Sequence, residues 1–284
     1  MARQLNAKIL ENARIKGSYF RSVLLSRQIA SHSRPGQFLN IKVSSGTHPL
    51  LRRPLSIHGV DKKKGEIRIL YEVVGRGSEI LSQQKSGGVL DIIGPLGHGF
   101  DLRNLYPVTR NPILVAGGMG VAPLFFLAET LGQGPRKRHA LHARVLIGGR
   151  TKEQILCENE FKSCGCRVEI ATDDGSRGFK GKVTELLERM LRPPNPVSRI
   201  PSPESRIPIY ACGPRPMLRE ISRLASVYHI SAQLSLEEHM SCGIGACLGC
   251  VVKTRTGYQR VCKEGPVFNA EEIVWEKSFR KGGP

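Results

Sequence analysis

The chain has 284 residues, 40% hydrophobic and 24% charged, which excludes a disordered polymer and allows two domains with a small appendage. Its formal charge of +19 comes from lysines and arginines scattered from end to end, with no zinc finger, RNP-type aromatic motif or basic heptad. The charge therefore reads as a basic surface suited to anionic cofactors or an acidic partner, and nucleic acid is not expected as a ligand.

The N-terminus is basic but has no continuous apolar stretch, so no signal peptide is read there. The one run that resembles a membrane span, residues 112–131, is broken by Gly117, Gly118, Gly120 and Pro123 and is better read as strand, turn and helix. No membrane partner is expected, the thiols are expected to stay reduced, and the cytoplasm is the expected location.

Residues 1–103 read as strands punctuated by Gly, Pro and Ser. "GQFLNIKV", "GEIRILYEVV" and "GVLDIIGPLG" predict a small antiparallel β-barrel. Within it, "RRPLSIHG" offers Arg53 for a phosphate and Ser56 for a ring nitrogen, and "LYEVVGRGSEIL" offers Gly75, Gly77 and Ser78 to wrap a pyrophosphate. Read without a ligand, these are a strand with a Pro turn and a hairpin with a Gly turn, and on residues alone both readings stand.

Over 104–230 the pattern changes. "NPILVAGG", "ARVLIGGR", "CRVEIATDDG" and "RIPIYACGP" are strands alternating with the helices "VAPLFFLAETL", "KVTELLERML" and "RPMLREISRLASVY". That alternation predicts a parallel sheet wound with helices on both faces. "GGMGVAPL" leaves free N–H groups at a helix start, although Pro123 stands where a third fingerprint glycine would be. "YACGP" opens at the same sheet edge, where wound sheets bind ligands, so Gly118, Gly120 and Cys212 are nucleotide candidates. A ligand-free tight turn and a packed cysteine are the alternatives. In "TDDGSRG", Asp173 and Asp174 favour a free 2′-hydroxyl and Arg177 a 2′-phosphate. Residues 192–207 carry five prolines and read as an extended surface loop without function.

Residues 231–276 hold Cys242, Cys247, Cys250 and Cys262 in a C-x4-C-x2-C-x11-C array, and 277–284 form a basic tail. The first intervals are those of plant-type [2Fe–2S] binding, with Gly243, Gly245 and Gly249 letting a loop curl around the cluster. Structural zinc also takes four thiolates, but usually from paired short spacings, so the pattern favours iron–sulfur. Cys157, Cys164 and Cys166 lack such a setting and read as structural or incidental.

Taken in this order, the motifs resemble the ferredoxin-reductase-like flavoproteins. "RPLS" and "GRGS" are similar to that family's FAD motifs, "GGMGVAPL" to its pyridine-nucleotide loop and "CGPRPM" to its nicotinamide-side motif. "EEHMSCGIGACLGCVVKT" followed by "YQRVCKEGPVF" resembles, more narrowly, the electron-transfer subunits of class 1B dihydroorotate dehydrogenases. The resemblance runs to about Trp275, apart from the proline-rich loop. It implies a barrel, a wound α/β domain and a small [2Fe–2S] module. It also implies FAD contacts at Arg53, Pro54, Leu55, Ser56, Leu70, Tyr71, Glu72, Gly77 and Ser78, with Gly118, Gly120 and Cys212 bordering NAD. Ser56, near the flavin's reactive nitrogen, and Cys212, at the nicotinamide, are then the residues nearest the hydride.

The implied partner is an FMN-containing dihydroorotate dehydrogenase catalytic subunit, two copies of each, serving de novo pyrimidine (UMP) synthesis. The implied route runs from FMN through [2Fe–2S] and FAD to NAD+. Leu55 departs from the wider superfamily, which has a flavin-stacking tyrosine there, but agrees with the narrower family. The alternatives are a reductase subunit serving a hydrogenase or ferredoxin, and a zinc-stabilised basic binding module.

Overall fold

The computed structural model describes residues 2–103, 112–132, 143–192 and 207–275. The densest basic stretch in part, the proline-rich run from 193 to 206 and the tail beyond 275 lie outside the described residues.

Stretches such as 20–25 and 89–96 alternate buried with more exposed side chains, and a sheet with one apolar face closes on itself to bury it. The strands are β1 (Arg3–Lys16), β2 (Tyr19–Leu25), β3 (Phe38–Lys42), β4 (Arg53–Asp61), β5 (Glu66–Glu72) and β6 (Val89–Leu96). They form a closed barrel in the order β1-β2-β5-β4-β3-β6. Ile9, Leu24, Leu39, Ile41, Ile57, Ile67, Ile69 and Ile92 fill it. Two short helices, α1 (Arg27–His32) and α2 (Arg76–Ser82), lie in the connections. α2 begins inside "GRGS", where the sequence suggested only a glycine turn.

The second sheet is built from β7 (Ile113–Gly117), β8 (Arg144–Gly149), β9 (Arg167–Thr172), β10 (Phe179–Lys180), β11 (Ile209–Cys212) and β12 (Ala232–Ser235). Between them run α3 (Val121–Gly132), α4 (Glu158–Ser163), α5 (Val183–Leu191) and α6 (Arg215–Val227). After the hairpin β13 (Val251–Thr254) and β14 (Gly257–Arg260), β15 (Val267–Asn269) returns to the sheet edge. The order is β10-β9-β8-β7-β11-β12-β15, parallel except for β15, which pairs antiparallel with β12. Both faces are covered, so β7 is apolar throughout. Ile113 and Val115 pack with Leu187 of α5 and Leu218 of α6, while Leu114 and Ala116 pack with Leu124 of α3 and Phe161 of α4.

Successive connections leave β7 to opposite sides, β8 on one and β11 on the other, and this opens a crevice at their carboxyl ends. The barrel is fastened beside that crevice. His58 of β4 stacks on Phe125 of α3 with ring centroids 4.7 Å apart, and its Nδ1 lies 3.1 Å from the Ala122 carbonyl. Arg68 of β5 pairs with Glu129 of α3 at 2.6 Å. Burial, aided by the charges of Arg68 and Arg21 and opposed by the Ala122 hydrogen bond, pushes His58 down to about 4. The cysteine segment is tied to both bodies: Asn40 of β3 donates to the Cys242 carbonyl at 3.0 Å, and the Leu236 N–H donates to Pro266 at 2.8 Å.

Among the described residues no helix is long and apolar enough to cross a membrane. The apolar run 112–131 folds as β7, a 3-10 turn and most of α3.

Candidate active site and cluster-binding site

Arg53, Pro54, Leu55 and Ser56 open β4, and all four are half-buried, so this end of the strand keeps a face available to a ligand. The Arg53 guanidinium lies directly over Gly77 at the start of α2, where any Cβ would collide with it. Its Nη1 donates to the Leu51 carbonyl at 2.6 Å and the Arg52 carbonyl at 3.3 Å, so its described partners are neutral and its charge stays available for an anion. A cation held over a bare backbone turn is a cradle that fits the pyrophosphate of FAD.

Neighbouring candidates divide by the period of the strand. Tyr71 points into the barrel, donates its hydroxyl to Asn12 Oδ1 at 2.9 Å and stacks on Phe20, so its side chain belongs to the core and only its backbone faces outward. Leu70 turns the other way, into the α/β core. Glu72 shares Leu70's face and accepts from Ser18 Oγ at 3.2 Å. Ser78 uses its hydroxyl within its own turn, accepting from the Val74 N–H at 3.0 Å and donating to the Gly75 carbonyl at 2.9 Å.

At the crevice, Gly118 has φ +53 and Gly120 packs against the Cys212 carbonyl so closely that no side chain fits. The β7 and β11 turns therefore meet backbone to backbone, with Ala116 and Cys212 in register. Cys212 is 1% exposed, and burial raises its thiol well above the usual range, so it is a neutral wall of the crevice rather than a nucleophile. Glu237, just past β12, was not singled out from the sequence. It reaches solvent but is crowded by protein, which raises its carboxyl, and its charge acts on Cys212. Past β9, Asp173 and Asp174 are bonded through their N–H groups to the carbonyls of Gly149 and Arg150, while Arg177 pairs with Glu158 at 2.5 Å.

The four clustered cysteines come together as two pairs. All are free thiols: Cys242 is hydrogen-bonded to Cys247, and Cys250 Sγ accepts from the Cys262 N–H at 3.4 Å. Four cysteine thiols on one curled loop and the hairpin that follows it are a donor set that fits a [2Fe–2S] cluster. The loop also supplies the N–H groups that such a charged core requires. For Cys242, partial burial is outweighed by the N–H groups of Ile244, Cys247 and Ala246 and by the Cys247 thiol, and the thiol falls to about 6. Burial, followed by the Cys250 thiol, pushes Cys262 up to about 12. Arg260 braces the loop by donating to the Gly245 carbonyl at 2.7 Å while paired with Glu264, whose carboxyl the guanidinium holds down at about 2. The cysteine spacing gave no sign of this brace. Cys157, Cys164 and Cys166 sit in or against the α/β core, and burial raises all three thiols.

A flavin-type barrel docked on a wound nucleotide sheet, with a cysteine module tied to both, defines an oxidoreductase of the ferredoxin-reductase-like class. Known proteins agree. Residues 237–274 match the iron–sulfur cluster binding domain of dihydroorotate dehydrogenase B, and residues 114–223 match the oxidoreductase NAD-binding domain. The dihydroorotate dehydrogenase B (NAD(+)) electron transfer subunit of Desulforamulus reducens is 39% identical over 97% of this chain and 100% of its own length. That of Geobacillus kaustophilus is 39% identical over 88% and 91%. Among solved structures, the NADH-dependent reduced ferredoxin-NADP oxidoreductase superposes with a TM-score of 0.77 at 27% identity, covering 95% of this chain and 90% of that one. A Neisseria gonorrhoeae ferredoxin NADP+ reductase with bound FAD and NADP shares the fold alone, with a TM-score of 0.62 at 14% identity over 79% and 91%. The chain belongs to the family of dihydroorotate dehydrogenase B electron-transfer subunits.

Proposed function

We propose that this chain carries electrons from an FMN-containing catalytic subunit that oxidises dihydroorotate to NAD+, in the cytoplasm, as part of de novo pyrimidine (UMP) synthesis. The observation that carries the reading is end-to-end similarity to a named electron-transfer subunit, at 39% identity over 97% of the chain. This favours it over a ferredoxin-linked role, since the NADH-dependent ferredoxin-NADP oxidoreductase is 27% identical.

Arg53 binds the FAD pyrophosphate against Gly77. Pro54, Leu55 and Ser56 line the flavin along β4, with Ser56 nearest its reactive nitrogen. Leu70, Tyr71, Glu72 and Ser78 contribute backbone and turn shape, because their side chains are already engaged. Gly118 and Gly120 admit the nucleotide backbone, and Cys212 walls the nicotinamide side. Cys242 with Cys247, and Cys250 with Cys262, hold the [2Fe–2S] cluster. When bound, the cluster supplies one-electron transfer and FAD converts it to hydride chemistry. None of these side chains needs to act as acid or base, since the proton of dihydroorotate is removed on the partner.

NAD rather than NADP is supported by Arg177, whose charge is taken up by Glu158, and by the acidic pair Asp173 and Asp174 at the sheet edge. Docking of the catalytic subunit is supported by the apolar side chains that the cluster module leaves exposed. Ile244 is 53% exposed, Leu248 60% and Tyr258 68%.

Cys250→Ser tests the assignment, because Cys250 is buried beside Cys262 in the cysteine segment. Reduction of FAD by NADH should survive while dihydroorotate-driven reduction of NAD+ in the reconstituted complex is lost. Retention of both activities would contradict the electron route.

A further inference from the structure

Asn40 is the odd residue of β3. It lies between Leu39 and Ile41 in the barrel and is 1% exposed, where an apolar side chain would cost nothing in desolvation. Its side chain makes no hydrogen bond to the barrel among the described residues. Its Nδ2 donates to the Cys242 carbonyl, 202 positions away in sequence, at 3.0 Å, and its Oδ1 is buried without a partner. A buried amide with an unmet acceptor is a cost to the barrel, and the one bond its side chain makes is to the cysteine loop.

The loop is moulded onto that amide. Gly243 has φ +70 and rests on the Asn40 side chain so closely that a Cβ would strike Nδ2. On the strand side, Asn40 stands in register with Pro54, the second residue of the flavin motif, and with Ile93 of β6. One side chain therefore ties β3, the ladder neighbour of the strand assigned to FAD, to the first cysteine of the cluster loop.

We propose that Asn40 is a positioning residue for electron exchange between cluster and flavin. Its amide fixes the Cys242 peptide to the FAD-bearing barrel and so sets both the separation of the two centres and the polarity at one cluster ligand. The proposal rests on the cofactor assignments above. One-electron transfer slows steeply as the separation of two centres grows and as their spread of positions widens. Donors close to a cluster stabilise its more negative, reduced state. Removing the amide therefore loosens the geometry and lowers the cluster's reduction potential together.

The test compares wild type with Asn40→Leu, which keeps the volume and removes both polar atoms. Bound FAD and the rate of its reduction by NADH should match wild type. Passage of the electron from flavin to cluster should slow at least tenfold. The midpoint potential should fall by up to ~59 mV, a tenfold change in the one-electron equilibrium, with an altered EPR line shape. Asn40→Asp, isosteric but with no donor for the Cys242 carbonyl, should lower the potential at least as far.

If neither variant accumulates, the wild type answers the question, because the Asn40 side-chain amide protons should be strongly broadened in NMR by the paramagnetic reduced cluster. Wild-type potential and transfer rate in Asn40→Leu, or sharp amide signals in the reduced wild type, would overturn the proposal. A wild-type protein without iron or flavin would instead overturn the cofactor assignments, and this proposal with them.

Discussion

Arg53 shows how far one residue can be read from its neighbours in sequence, and where such reading stops. An arginine before Pro-Leu-Ser suggested a phosphate partner, but only the fold brings its guanidinium over Gly77, 24 positions later, and leaves it with carbonyl partners alone. The charge is therefore preorganised for an anion. A charge-assisted hydrogen bond is worth ~1.5–3 kcal/mol, so Arg53→Ala should weaken FAD binding by about 10–100-fold. The ratio of flavin absorbance to protein through dilution checks this, and full retention of FAD would remove Arg53 from the pyrophosphate site. Tyr71 is the opposite case. It sits in the same motif region, yet strand alternation turns its side chain into the barrel toward Asn12. Asn40, Arg260 and Glu237 carried no legible signal at all, because what matters about each is a partner remote in sequence or a crowded setting.

At the scale of elements, β4 carries the flavin motif in its first half and the clamp to α3 at its middle. Ser56 and His58 are two residues apart, and His58 bonds to Ala122, two residues beyond Gly120 of the nucleotide turn. This short bridge fixes the flavin strand relative to the nucleotide loop. It also makes stability depend on pH. His58 is held neutral down to about 4 in the folded chain against 6.5 when free, so below 6.5 the unfolded chain binds a proton that the folded chain refuses. Stability contributed by the neutral ring is present above 6.5 and is lost as pH falls toward 4, by up to about 3 kcal/mol. His58→Gln should flatten the decline of Tm over that window, and parallel profiles for the two proteins would show that the imidazole is not the group responsible. The strands and long helices of this region were legible because their apolar periodicity is strong. α2 was not, because seven residues opening on Arg76-Gly77 look like a turn until Ser78 closes it on Val74 and Gly75.

For the whole molecule, the order of parts is the functional statement. The barrel binds the crevice through His58 and Arg68, and the cluster loop binds the barrel through Asn40 and the sheet through β15. Each candidate centre is thus tied to the next by named contacts, as a chain of electron carriers requires. The barrel, the wound sheet and the cysteine array could be read from periodicity and spacing. That β15 would join the sheet could not, since three residues returning antiparallel to β12 leave no local pattern.

The measurement that bears most directly on the central claim is the visible spectrum of anaerobically purified protein, before and after addition of NADH. Flavin bands on an iron–sulfur background, bleaching when NADH is added, are the predicted result. A colourless protein that contains zinc and no iron would contradict it.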